Sequence, residues 1–152
     1  MRTVLFVCTG NTCRSPMAES IARKLVRDGG IEGLETRDVL FISAGIAACD
    51  GAPASPEVEE VLAARGIRDD HRSHRLTPEM AGKADLILTM TRSHLDAVHS
   101  LLEGAADDPP EVMMLDPDGD ILDPIGCGLE VYRSTADQMA GAIPRRLGVL
   151  VP

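Results

Sequence analysis

The sequence predicts an α/β fold in three layers: an open parallel sheet with helices on both faces. Three observations predict it. Continuous apolar runs of strand length alternate with longer amphipathic segments. The first run ends in a Gly-Asn loop that opens directly into a helix, the arrangement of doubly wound sheets. The 152 residues fit one domain, residues 1–152, and 44% hydrophobic content is enough for a packed core.

The elements follow in order. Thr3–Val7 is an apolar run rich in β-branched residues and reads as a buried parallel strand. Ser15-Pro16 reads as a helix start, with Ser at the cap and Pro at the first helical position. Met17, Ile21, Leu25 and Val26 give that helix an apolar face to about Arg27, and Gly29-Gly30 stops it. Val39–Ser43 reads as the second strand. Ser55-Pro56 caps a helix that runs through Val58, Val61 and Leu62 to Gly66. Asp85–Met90 is the third strand, Arg92 to Leu102 the next helix and Glu111–Leu115 a short fourth strand. The last helix spans Leu129 to about Leu147. Asp107-Asp108-Pro109-Pro110 is a turn, too short to separate domains.

Composition narrows the function. A formal net charge of −9 disfavours nucleic acid, which needs basic patches against its phosphates. It permits a small anion site, because a nest of N–H groups and one Arg can overrule the global field. The four cysteines have neither metal spacing nor a disulfide-rich pattern. No leader peptide or membrane-crossing run is evident. The expectation is a cytoplasmic monomer acting on a phosphorylated protein, without metal or cofactor, membrane or nucleic acid.

The chemistry concentrates in Cys8-Thr9-Gly10-Asn11-Thr12-Cys13-Arg14-Ser15, between the first strand and the first helix. Gly10 and Asn11 tolerate positive φ, so the loop can aim successive N–H groups at one point. The helix that follows adds its N-terminal N–H groups and dipole. A field that attracts phosphate also stabilises a thiolate at Cys8. Ser15 can donate to that sulfur, and Arg14 offers a fork matched to two phosphate oxygens. Thr9, Gly10, Asn11, Thr12, Cys13 and Ser15 thus form the candidate phosphate-binding loop, with Cys8 as nucleophile and Arg14 as clamp. It is not a nucleotide P-loop, since the Gly-Lys-Ser/Thr ending is missing.

From Val7 to Glu19 this chain resembles the opening signature of the low-molecular-weight protein tyrosine phosphatase family. The resemblance continues at Ser43-Ala44-Gly45, His71-Arg72-Ser73, Leu76-Thr77, Ala84-Asp85 through Met90 and Asp123-Pro124, covering nearly the whole chain. It implies a four-stranded parallel sheet of order 2-1-3-4 and a phosphocysteine mechanism. It implies that His71 supports Asn11, although an exposed His in an Arg-rich turn reads the same way. It also implies that Cys13 can trap Cys8 in a reversible disulfide, structural filling being its default role.

Such a mechanism needs a group that protonates the leaving atom and then activates water. Candidates crowd the stretch from Asp116 to Asp123. Asp116, Asp118 and Asp120 have the odd-position spacing of a calcium loop, but Ile121 replaces the required Gly and Cys127 the final Glu. The resemblance points to Asp123, before the last helix and fixed by Pro124. Arg65, Arg68, Arg72 and Arg75 read as a solvated face, with steering of phosphorylated proteins as a minor role. Tyr132 reads as packing, and Cys49 and Cys127 have no assigned partner.

Two departures from the family bear on substrate. The family grips phosphotyrosine between aromatic walls, but the corresponding segments here are Ile46-Ala47-Ala48-Cys49 and Ile125-Gly126. Thr12 matches the family's protein arginine phosphatase branch, where tyrosine-specific members commonly carry Ile or Leu. Thr12 and Ile125 are therefore the candidate specificity residues, with phosphoarginine favoured and phosphotyrosine the alternative. Arsenate reductases share the fold but need resolving cysteines in a later segment, and residues 50–126 contain none. A phosphocysteine carrier without hydrolase activity needs neither Arg14 nor Asp123.

Overall fold

The structure is a computed structural model that describes residues 1–104 and 107–152. Its four strands are β1 (Arg2–Cys8), β2 (Val39–Gly45), β3 (Leu86–Thr89) and β4 (Glu111–Met114), all parallel, in the order β2-β1-β3-β4. The order implied by the resemblance is the order found. β1 is central and pairs over its whole length with β2, from Arg2 against Val39 to Cys8 against Gly45.

Alternation along the strands sorts the core into two layers. Val4 and Phe6 of β1, Val39 and Phe41 of β2, and Leu86 and Leu88 of β3 face one side. There they pack on α1 (Arg14–Arg27), α2 (Pro56–Ala64) and α5 (Leu129–Leu147) through Met17, Ile21, Val58, Met139 and Ile143. The chain's two phenylalanines, Phe6 and Phe41, meet here with ring centroids 6.1 Å apart. Leu5, Val7, Ala44 and Ile87 face the other side, against α3 (Pro78–Lys83) and α4 (Arg92–Leu102). Both faces of the sheet are covered, which explains why its strands read as continuous apolar runs.

Two details differ from the sequence reading. Helix α3 was not anticipated: it has only six residues, of which Ala81 alone is buried. Thr77 caps it, accepting the Met80 N–H, and Pro78 begins it. Ser15, expected as the cap of α1, lies inside the helix, which begins at Arg14 after Cys13. The Ser15 hydroxyl is committed to the Cys8 sulfur instead of the helix end.

Candidate active site

Cys8 ends the central strand and is 2% exposed. Its carbonyl accepts the Ile46 N–H and the next carbonyl, of Thr9, accepts the Ala47 N–H, each at 2.9 Å. The chain after β2 thus lies flat against the start of the phosphate loop. Gly45 makes that approach possible: a Cβ there would stand 2.5 Å from the Thr9 carbonyl oxygen and 2.9 Å from the Asn11 nitrogen.

Asn11 shapes the loop. It is fully buried and, among the described residues, is the one non-glycine with positive φ, at 55°. That conformation is costly for most side chains and persists where surroundings over-determine it. Here they do. Asn11 Oδ1 accepts the His74 N–H at 2.8 Å. This fixes the amide orientation, so Nδ2 donates to Ser15 Oγ at 2.8 Å and to Ser43 Oγ at 2.9 Å. His71, buried rather than exposed, brings Nε2 within 2.6 Å of the Asn11 carbonyl.

The same orientation sets proton direction at the sulfur. Ser15 Oγ lies 2.9 Å from Cys8 Sγ. Because Ser15 accepts from Asn11, its own proton is free to donate to the sulfur. The Asn11 N–H donates to the same sulfur at 3.2 Å. Two hydrogen-bond donors are thus aimed at one sulfur. The first N–H groups of α1, which have no intrahelical acceptor, add positive potential beside it.

Arg14, 5% exposed, is anchored through Nη1 to the Ile121 carbonyl at 2.9 Å. Its Nη2 lies 3.7 Å from Asp123 Oδ2. Ile121 is itself held by its N–H to the Met90 carbonyl at 2.8 Å. The arginine therefore ties the loop carrying Asp123 to the end of the sheet. The competing aspartates are engaged elsewhere. Asp116 accepts from Gln138 at 2.8 Å and from the Asp118 N–H at 2.9 Å. Asp118 pairs with Arg145 at 3.1 Å, and Asp120 accepts the Arg92 N–H at 2.8 Å. Asp123 is exposed, and its Oδ1 accepts the Ile125 N–H at 3.1 Å.

Cys13 is buried with its sulfur 3.4 Å from Ser55 Oγ and 3.7 Å from the Tyr132 hydroxyl. Burial first, then Cys13, pushes the Tyr132 phenol up to about 12. Cys13, Cys49 and Cys127 are free thiols, the last two exposed. Arg68, Arg72 and Arg75 are exposed, whereas Arg65 is half-buried and paired with Asp137. Ile46 is half-buried, Ile125 is 61% exposed and Leu122, next to Asp123 in the chain, is 74% exposed. Thr12 is half-buried in the loop.

Sequence reasoning missed several contributors. Ser43 and His74 were not recognised as holding Asn11, although a serine in a buried strand is a polar group that needs a partner. His94, on α4, lies with Nε2 2.8 Å from Thr9 Oγ1, and no pattern in the sequence marks that contact.

Fold and site together define an α/β protein built to do chemistry on an oxyanion at a cysteine. The chain belongs to the low-molecular-weight phosphotyrosine protein phosphatase family, whose sequence profile matches residues 3–147. It is thus a cysteine-dependent phosphatase and a hydrolase. It is 38% identical to a protein-arginine-phosphatase of Geobacillus stearothermophilus, over 93% of this chain and 91% of that protein. A low-molecular-weight protein tyrosine phosphatase from T. tengcongensis superposes with a TM-score of 0.82 at 41% identity, covering 94% of this chain and 95% of that one. A cysteine-to-serine mutant of the arginine phosphatase YwlE, with a phosphorylated active-site serine, superposes at 0.83 with 33% identity and 95% coverage of both chains.

Proposed function

We propose that this chain is a single catalytic domain that hydrolyses phosphorylated protein side chains through phosphocysteine, with phosphoarginine as the favoured substrate. The Cys8 thiolate attacks phosphorus: the S–P bond forms as the P–N bond of phosphoarginine, or the P–O bond of phosphotyrosine, breaks. Asp123 as a carboxylic acid gives its proton to the departing atom. Its carboxylate then takes a proton from water, the water oxygen bonds to phosphorus, and the S–P bond breaks to release phosphate and the thiolate. Arg14 and the loop N–H groups from Thr9 to Ser15 hold the equatorial oxygens throughout. A reducing, cytoplasmic setting fits a reaction that needs a free thiol.

The observation that carries the reading is the approach of Arg14 to Asp123 at 3.7 Å, which joins clamp and acid beside the Cys8 loop. A carrier that only stores a phosphoryl group has no use for that pair. For the substrate, support comes from the residues that flank Asp123 in the chain. Leu122 and Ile125, on either side of Asp123-Pro124, are exposed aliphatic side chains, suited to the methylene chain of an arginine, and that segment holds no ring to stack on a phenol. Thr12 and the kinship with a protein-arginine-phosphatase point the same way.

Phosphotyrosine is the second reading, favoured by the 41% identity to a protein tyrosine phosphatase. The test compares wild type and Thr12→Ile on matched phosphoarginine and phosphotyrosine peptides. The expected result is a higher kcat/KM for phosphoarginine in wild type and a shift toward phosphotyrosine in the variant. A hydroxyl or methyl change of this kind is worth about 1–3 kcal/mol of discrimination. A wild type that prefers phosphotyrosine would sink the substrate assignment and leave the hydrolase reading intact.

A further inference from the structure

One buried titratable group takes no part in the steps above. His94 is the third residue of α4 and is only 7% exposed. The helix start is firmly set, because Thr91 caps it by accepting the His94 N–H at 3.2 Å. From there the ring reaches the phosphate loop, with Nε2 2.8 Å from the hydroxyl of Thr9, the residue that follows Cys8. Its other nitrogen, Nδ1, is buried without a hydrogen-bond partner among the described residues.

That arrangement is unfavourable as packing. A buried ring normally satisfies both nitrogens, and an apolar side chain of similar size would fill the space without an orphan. The remaining contact, to Thr9, is then the feature that distinguishes His94 from a leucine. It also completes a clamp. On the β2 side, Thr9 is held through its carbonyl by the Ala47 N–H at 2.9 Å. On the α4 side it is held through its hydroxyl by His94.

We propose that His94 is a positioning residue for the phosphate loop: its Nε2 fixes the Thr9 hydroxyl and, through it, the peptide immediately after Cys8. The neutral ring has a single N–H. Carried on Nε2, that proton is donated to Thr9 Oγ1 and no buried N–H is left without an acceptor. The Thr9 proton is then free to face the exposed mouth of the site. Burial and the Arg14 guanidinium lower the ring's pKa to about 4, with Asp120 and Asp123 pulling the other way.

This inference rests on the hydrolase reading above, so turnover and loop occupancy are measured separately. His94→Ala, His94→Gln, Thr9→Val and the Ala/Val double variant are compared in kcat/KM on p-nitrophenyl phosphate. Affinity for inorganic phosphate and Tm are measured on the same proteins. His94→Ala and Thr9→Val should each lose about tenfold in kcat/KM, and the double variant no more than either alone. His94→Gln, whose amide reaches where Nε2 stood, should recover to within about threefold of wild type. Phosphate affinity should fall in parallel, and it reads the loop even if the chain turns nothing over. Additive losses would overturn the proposal. So would a lower Tm for His94→Ala with kcat/KM and phosphate affinity unchanged, the signature of packing alone. If His94→Ala does not fold, Thr9→Val decides, and wild-type values there also overturn the proposal.

Discussion

Asn11 Nδ2 donates to Ser15 Oγ at 2.8 Å, and that bond decides which way the Ser15 proton points. Because the His74 N–H occupies Asn11 Oδ1, the amide cannot turn round without losing that hydrogen bond. Among the described residues, the Cys8 sulfur at 2.9 Å is the hydrogen-bond partner that remains for the Ser15 proton. Ser15→Ala should therefore lower kcat by about tenfold to a hundredfold, the worth of one hydrogen bond to a charged group. Asn11→Ala should cost at least as much, because it also releases the loop from its left-handed conformation. Wild-type kcat in Ser15→Ala would contradict the proton assignment.

Asp123 is distinguished from its neighbours by its distance to Arg14. Asp123→Asn should reduce kcat by about a hundredfold to ten-thousandfold on substrates with poor leaving groups. The loss should be smaller on p-nitrophenyl phosphate, whose leaving group needs little protonation. The same substitution at Asp118, which pairs with Arg145, should leave kcat unchanged. Equal turnover by wild type and Asp123→Asn would move the acid elsewhere.

Gly45 touches no reacting atom, yet a single methyl group there would collide with two backbone atoms of the phosphate loop. Neither can yield as a flexible side chain would. Gly45→Ala should destabilise the fold by about 1–3 kcal/mol and depress kcat/KM, because the relief of the clash moves Thr9 and Asn11. Chemical denaturation and steady-state kinetics on the same preparation check both. A stable, fully active Gly45→Ala would show that the β2 turn and the loop can separate.

Much of this was legible in the sequence because the signals are local. Strands buried on both faces announce themselves as β-branched runs, and Ser-Pro and Gly-Gly pairs punctuate helices. Even the punctuation misled at Ser15, where a nearby sulfur outcompetes the helix end for the hydroxyl. Helix α3 escaped because six residues with one buried side chain carry no periodicity. The role of Asp123 could not be read from spacing, since Asp116, Asp118 and Asp120 are equally polar and equally close in sequence. The family resemblance points to Asp123, and in the fold Arg14, 109 residues away in the chain, lies 3.7 Å from it. His94 and Thr9 are likewise 85 residues apart, and nothing local marks their contact.

The same histidine makes stability depend on pH. In the folded chain, burial and then Arg14 bring its pKa down to about 4, from an ordinary value of 6.5. Between those values the unfolded chain binds more protons, so this contribution is complete above the window and is lost as pH falls through it. From pH 7 to pH 4.5 the loss is about 2–3 kcal/mol. Urea denaturation of wild type and His94→Gln at both values isolates it, because glutamine does not titrate. Wild type should lose stability relative to the variant as pH falls, and a constant difference would contradict the neutral, buried ring.

The central claim is that phosphate passes through Cys8, and trapping the intermediate tests it most directly. Asp123→Ala is mixed with p-nitrophenyl phosphate, quenched in acid within the first turnover, digested and weighed. One phosphoryl group should be added to the peptide containing residue 8, and none when Cys8→Ala is treated in the same way. A phosphoryl group on any other residue, or full hydrolysis by Cys8→Ala, would contradict it.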